Sequence, residues 1–94
     1  MSAQEKVAQC TSWLQEWVQP FTEPITVDQH PSEMFVWTIY RGEPPALLDV
    51  LRMKATTFAA RDERFRRRSL WTQLKNILDL HGVDTTPMGT AYPE

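Results

Sequence analysis

The sequence predicts a small α+β domain in the order helix, strand, strand, helix, helix. Three observations carry this expectation. Apolar residues recur at helical spacing toward both ends of the chain, residues 34–40 form a β-branched and aromatic run, and prolines and Gly42 separate these segments. At 94 residues and 11.0 kDa the chain is sized for one domain. Its 41% hydrophobic and 23% charged residues are the composition of a folded chain rather than a disordered one.

Ser2 and Glu5 have the spacing of a capping box, in which each side chain accepts from the other's backbone amide at the helix start. Val7, Cys10, Leu14, Trp17, Val18 and Phe21 follow on one stripe, with Trp13 beside it. Pro20 disfavours helix from Gln19 onward, so the first helix is expected over residues 3–18. Residues 25–29 alternate apolar and polar as a half-exposed strand does, and His30–Pro31–Ser32–Glu33 connects it to the second strand. In that second strand Phe35, Trp37 and Ile39 point one way, and Met34, Val36 and Tyr40 point the other.

Pro45 suits the first position of a second helix carrying Leu47, Leu48, Leu51, Ala55, Phe58 and Ala59 on one stripe. Continued to Arg68, this helix would set Asp62 and Arg66 inside its apolar stripe, at a cost of several kcal/mol if unpaired. A bend or break is therefore expected within residues 61–68, with Ser69 capping a third helix. That helix carries Leu70, Trp71, Leu74, Ile77, Leu78 and His81, and Gly82–Val83 closes it as a Schellman ending. Residues 1–83 are read as the compact αββαα domain and residues 84–94, with two prolines and a glycine, as a tail.

An isolated hairpin is marginal in water. Either three helices wrap both of its faces in a monomer, or a symmetric homodimer joins two hairpins into a four-stranded sheet, with Trp37 and Tyr40 as anchors of the dimer or partner face.

Charge is distributed unevenly. Residues 52–75 hold eight basic side chains against Asp62 and Glu63, a net +6, while the rest of the chain is −8. Arg61, Arg64, Arg66, Arg67 and Arg68 form the centre of this cluster, with Trp71 beside it. Three readings compete. The arginines could be a solvated turn paired with Glu16, Glu23, Asp28, Glu33, Glu43 and Asp49 of the same chain. They could dock on an acidic protein surface, since guanidinium bonds carboxylates bidentately and stacks on rings. They could bind nucleic acid, with Phe65 or Trp71 stacking on a base. A pI of about 5.6 and the lack of a helix-turn-helix, zinc-ligand or aromatic RNA-binding signature weigh against the last. On either functional reading, replacing Arg66, Arg67 and Arg68 by alanine is expected to weaken association while the fold survives.

No chemistry of catalysis is expected. Cys10, His30 and His81 are single and widely spaced, so neither a metal nor another cofactor is anticipated. His81 is read as a helix-end residue favoured by the helix dipole, and Cys10 as a small buried apolar group. Three glycines rule out a phosphate-binding loop, and Glu33 and Glu43 are the sole pair of acids placed to flank a mouth. A small core leaves little room for a substrate pocket. No apolar run is long enough to span a bilayer, the N-terminal MSAQEKVAQC lacks the pattern of a secretory signal, and one cysteine suits a reducing compartment. The sequence thus points to a non-catalytic cytoplasmic interaction protein, a regulator, inhibitor or adaptor, with nucleic-acid binding by the same arginines as the alternative.

Overall fold

A computed structural model of the chain describes residues 1–93. Helix α1 spans Ala3–Val18, followed by strands β1 (Ile25–Gln29), β2 (Val36–Arg41) and β3 (Ala46–Arg52). A one-turn helix α2 (Ala55–Phe58) leads to the long helix α3 (Glu63–Leu80), and a 3-10 turn covers Thr86–Met88. The fold is α+β, with an antiparallel sheet in the order β1-β2-β3.

Local signals set the ends of the helices. Ser2 accepts from Glu5 N at 3.1 Å, and the Glu5 carboxylate accepts from Ser2 N at 3.3 Å, completing the capping box. At the other end of the chain Val83 N bonds Leu78 O at 2.9 Å and Gly82 N bonds Asp79 O at 3.1 Å. That is the Schellman pattern, and Gly82 takes the φ of +75° it demands.

The expected second helix is a strand over most of its length. Gly42, at φ +97°, reverses the chain, and residues 46–52 return along β2 instead of coiling. The physical reason lies in β2, which is buried along most of its length and would leave a row of backbone groups unpaired beside a single neighbour. Satisfying them outweighs the modest helix preference of Ala46–Arg52, an override of local propensity by pairing. A register shift opposite Ile39 and Tyr40 absorbs the adjacent leucines 47 and 48.

One layer of helices covers one face of the sheet. Val7, Cys10, Leu14 and Val18 of α1 and Leu70, Trp71, Leu74 and Leu78 of α3 meet Ile25, Val27, Trp37, Ile39 and Leu51. Phe58 of α2 and Phe35 close one end, their ring centroids 4.6 Å apart. Trp37 is fully buried, and its indole N–H donates to Thr11 Oγ1 at 2.9 Å. It is therefore a core residue and not an anchor of an exposed partner face; Tyr40 points the opposite way and is half-buried. Burial holds the Cys10 thiol neutral, its pKa pushed up to about 11.

Residues 84–93 do not trail away from the 1–83 body. Met88 and Thr85 are buried, Met88 joins the main core, and Tyr92 meets Trp71 edge-on with centroids 5.8 Å apart. Thr85 Oγ1 donates to Asp79 at 2.5 Å, and Lys75 Nζ bonds both Asp79, at 2.9 Å, and Thr85, at 3.2 Å. Residue 94, the last of the expected tail, lies outside the described residues.

The C-terminal end of α3 is tied to the sheet by polar groups. His81 Nε2 lies 2.9 Å from Asp49 Oδ2 on β3, and Arg41 of β2 donates to the His81 carbonyl at 3.1 Å and to Glu23 at 2.6 Å. The hydrogen bond from His81, with that from Val50 N–H, holds the Asp49 carboxyl below its ordinary value of 3.8. A depressed folded-state pKa adds stability that is complete above the unfolded value and is lost as pH falls through the folded one. Urea denaturation from neutral pH to below pH 3.8 should therefore show acid loss of stability that is smaller in Asp49→Asn than in the wild type. Equal loss in both would remove Asp49 from the account.

Candidate functional site

The arginine cluster sits at the junction of α2 and α3. Helix α2 ends at Phe58, the chain turns through residues 59–62, and Asp62 caps α3 by accepting from Arg64 N at 2.9 Å. The predicted break is real but earlier than Ser69, which lies inside α3 and accepts from Gln73 at 3.0 Å. Arg66, Arg67 and Arg68 thus belong to the first turns of a continuous helix.

The five arginines and Trp71 do different things. Arg66 is 3% exposed, and its guanidinium donates to the carbonyls of Ala60 at 2.7 Å and Phe58 at 3.3 Å. A helix end leaves just such carbonyls without intrahelical partners, so the buried cation closes the end of α2. Its Nε is buried without a hydrogen bond. Arg67 lies across α1, its guanidinium carbon 5.8 Å from the ring centroids of both Trp13 and Trp17. Cation–π contacts of this kind are worth about 0.5–2 kcal/mol each. Trp71 is 5% exposed and belongs to the core. These three residues are therefore structural in position rather than open contacts.

Arg61, Arg64 and Arg68 are exposed. Arg64 pairs with Asp62 at 2.7 Å, and its side chain remains 83% accessible. This contact lowers the Asp62 pKa, chiefly through the hydrogen bond from the Arg64 side chain. Between them stands Phe65, 64% exposed on the first turn of α3. Two open surface grooves of about 590 and 380 Å³ meet at Phe65 and Arg68. One runs along Thr56, Ala60, Ser69 and Thr72, and the other is bounded by Asp62, Arg64, Tyr92 and Pro93. From the sequence, Phe65 is no more than one of two rings able to stack on a base. The signal that marks it is its place among charged residues 61–68, off the apolar stripe of α3.

Asp62 pairs with Arg64 within the cluster, while several carboxylates elsewhere in the fold have other partners. Glu23 is bound to Arg41, Asp49 to His81, and Glu33 lies 3.8 Å from His30. Glu63 accepts from Gln9 of α1 at 2.7 Å, fastening α3 to α1. Glu33 and Glu43 stand at opposite ends of β2 and do not meet across a mouth. Among the described residues no group of three or more His, Cys, Asp and Glu side chains is placed to hold a metal ion. Nor is any helix among them long and apolar enough to cross a membrane.

The geometry thus defines a two-layer α+β domain with a basic, aromatic-tipped corner. No protein-family model, curated protein or solved structure matches this chain.

The split between inward and outward arginines has a direct consequence for stability. Arg66→Ala should cost about 2 kcal/mol or more, since it strands two carbonyls and opens space in the core. Arg61→Ala should stay within about 0.5 kcal/mol. Chemical denaturation of the two variants checks this, and equal midpoints would contradict it. Alanine at Arg66, Arg67 and Arg68 together is accordingly a test of folding as much as of binding.

Proposed function

We propose that this protein is a non-catalytic interaction domain that docks on an acidic protein surface through the start of α3. The observation that carries the reading is the exposed Phe65 ring set among the exposed Arg61, Arg64 and Arg68. An aromatic anchor beside guanidiniums is the composition of an interface centre, in which the ring supplies buried area and arginine supplies bidentate bonds to carboxylates. The N-terminal pole of α3 adds partial positive charge to the same corner. The protein acts by occupying a partner's surface, as a regulator, inhibitor or adaptor, and needs no cofactor. A single buried, neutral thiol suits it to a reducing compartment such as the cytoplasm.

Nucleic acid is the competing ligand for the same arginines. The −8 charge on the rest of the chain favours a compact acidic partner over a long polyanion, whose phosphates would run onto the repulsive remainder.

Fluorescence anisotropy with a labelled peptide rich in Asp, Glu and aromatic residues, beside labelled single- and double-stranded nucleic acid, separates the two. The peptide should bind, and binding should weaken about tenfold or more in an Arg61→Ala/Arg64→Ala/Arg68→Ala variant and in Phe65→Ala. Binding of the duplex with a steep negative salt dependence, with none of the peptide, would overturn the docking reading in favour of nucleic acid.

A further inference from the structure

The C-terminal segment brings a second ring to the corner at the start of α3. Terminal residues stay ordered only where something ties them down. Here Met88 is buried in the main core, and Thr85 bonds Lys75 and Asp79 of α3. Gly89, at φ +84°, redirects the chain, and three residues later Tyr92 meets the edge of Trp71 with ring centroids 5.8 Å apart. Trp71 is itself locked in the core, so Tyr92 rests on a fixed support.

The smaller groove, of about 380 Å³, lies between this segment and the first turns of α3. Phe65 lines it from the helix, and Tyr92 and Pro93 line it from the C-terminal segment. Arg64, Arg67 and Arg68 line it too, three cations against the one carboxylate of Asp62. That carboxylate already accepts from the Arg64 side chain through both of its oxygens. The walls are thus flat groups, and the groove is cationic. Rings and guanidinium planes pack favourably on another ring. The volume is at the low end for small-ligand sites, which suits one ring and the polar group next to it.

We propose that this groove receives an aromatic side chain of the partner together with a neighbouring Asp or Glu, and that the C-terminal segment is one wall of the docking site. The inference rests on the docking reading given above and names the group that the acidic surface presents. The ring packs alongside Phe65 and Tyr92, and the carboxylate next to it in the partner's chain meets guanidinium at the rim. Charge and shape together select this occupant. A basic residue would meet three guanidiniums, and an aliphatic one would forgo the ring and guanidinium faces. A nucleobase has the right shape, but the phosphates on either side of it would meet the −8 remainder of the chain.

Fluorescence anisotropy with two labelled peptides of equal charge tests this, one carrying a tryptophan flanked by glutamates and one with alanine in its place. The wild type should bind the tryptophan peptide about tenfold or more tightly. Tyr92→Ala should erase most of that preference and Tyr92→Phe should keep it, with circular dichroism checking that both are folded. Arg61→Ala/Arg64→Ala/Arg68→Ala should weaken both peptides. Should Tyr92→Ala not fold, the wild-type chain answers alone. A peptide with photoreactive benzoylphenylalanine in place of the tryptophan should crosslink to Phe65 or to residues 92–93. Equal binding of the two peptides by the wild type, a preference undiminished in folded Tyr92→Ala, or crosslinks confined to other parts of the chain overturns this inference and leaves the docking reading standing. Failure of the wild type to bind either peptide overturns both.

Discussion

The guanidinium of Arg66, buried against the carbonyls of Phe58 and Ala60, is the contact on which the corner between α2 and α3 depends. Helix α2 is a single turn and cannot hold itself together in water. Its closing carbonyls need donors, and the connection to α3 needs a fixed direction. Arg66 supplies both, because its head reaches back over the turn that precedes its own helix. With the start of α3 fixed, the residues one and two positions to either side are committed to the outside or to α1. Arg67 falls over Trp13 and Trp17, Phe65 projects into solvent, and Arg64 and Arg68 flank it. The cation is costly to bury, and its buried, unbonded Nε shows that the compensation is incomplete. That cost is offset by ordering two elements at once.

The same logic of satisfied backbone explains the sheet. A central strand as apolar as β2 must be paired on both sides and covered on at least one face. Helices α1 and α3 cover the face that holds Trp37, Ile39 and Leu51, and the Asp49–His81 and Arg41–Glu23 contacts fix the far end of α3. The corner at the start of α3 is cationic and aromatic, while the outer face of the sheet mixes Thr26, Thr38, Asp28 and Arg52 with Val36, Leu47 and Val50.

Much of this is legible in the sequence, and the reasons are local. The capping box at Ser2 and Glu5, the stripe of α1, the alternation in β1 and β2, and the glycine ending at Gly82 are each written within a few residues. The third strand is not legible in this way. Leu47, Leu48 and Leu51 satisfy a helical spacing as well as a bulged strand, and only the unpaired side of β2 decides between them. Trp37 reads as a partner-face residue because both sides of β2 are apolar, and which side the helices cover is a tertiary fact. Arg66 is hidden for a related reason. Its acceptors are backbone carbonyls that become available only where α2 stops, so no partner residue type in the sequence announces them. The outward set, Arg61, Arg64 and Arg68, can be recognised as basic but not separated from Arg66 and Arg67 until the phase of α3 is known.

That separation is the claim from which the functional account follows, and side-chain NMR reads it most directly. In a titration with the acidic peptide, the Nε–Hε resonances of Arg61, Arg64 and Arg68 should shift while those of Arg66 and Arg67 stay in place. Shifts of Arg66 and Arg67 alongside the others, or no arginine shift at all while the peptide binds, would contradict it.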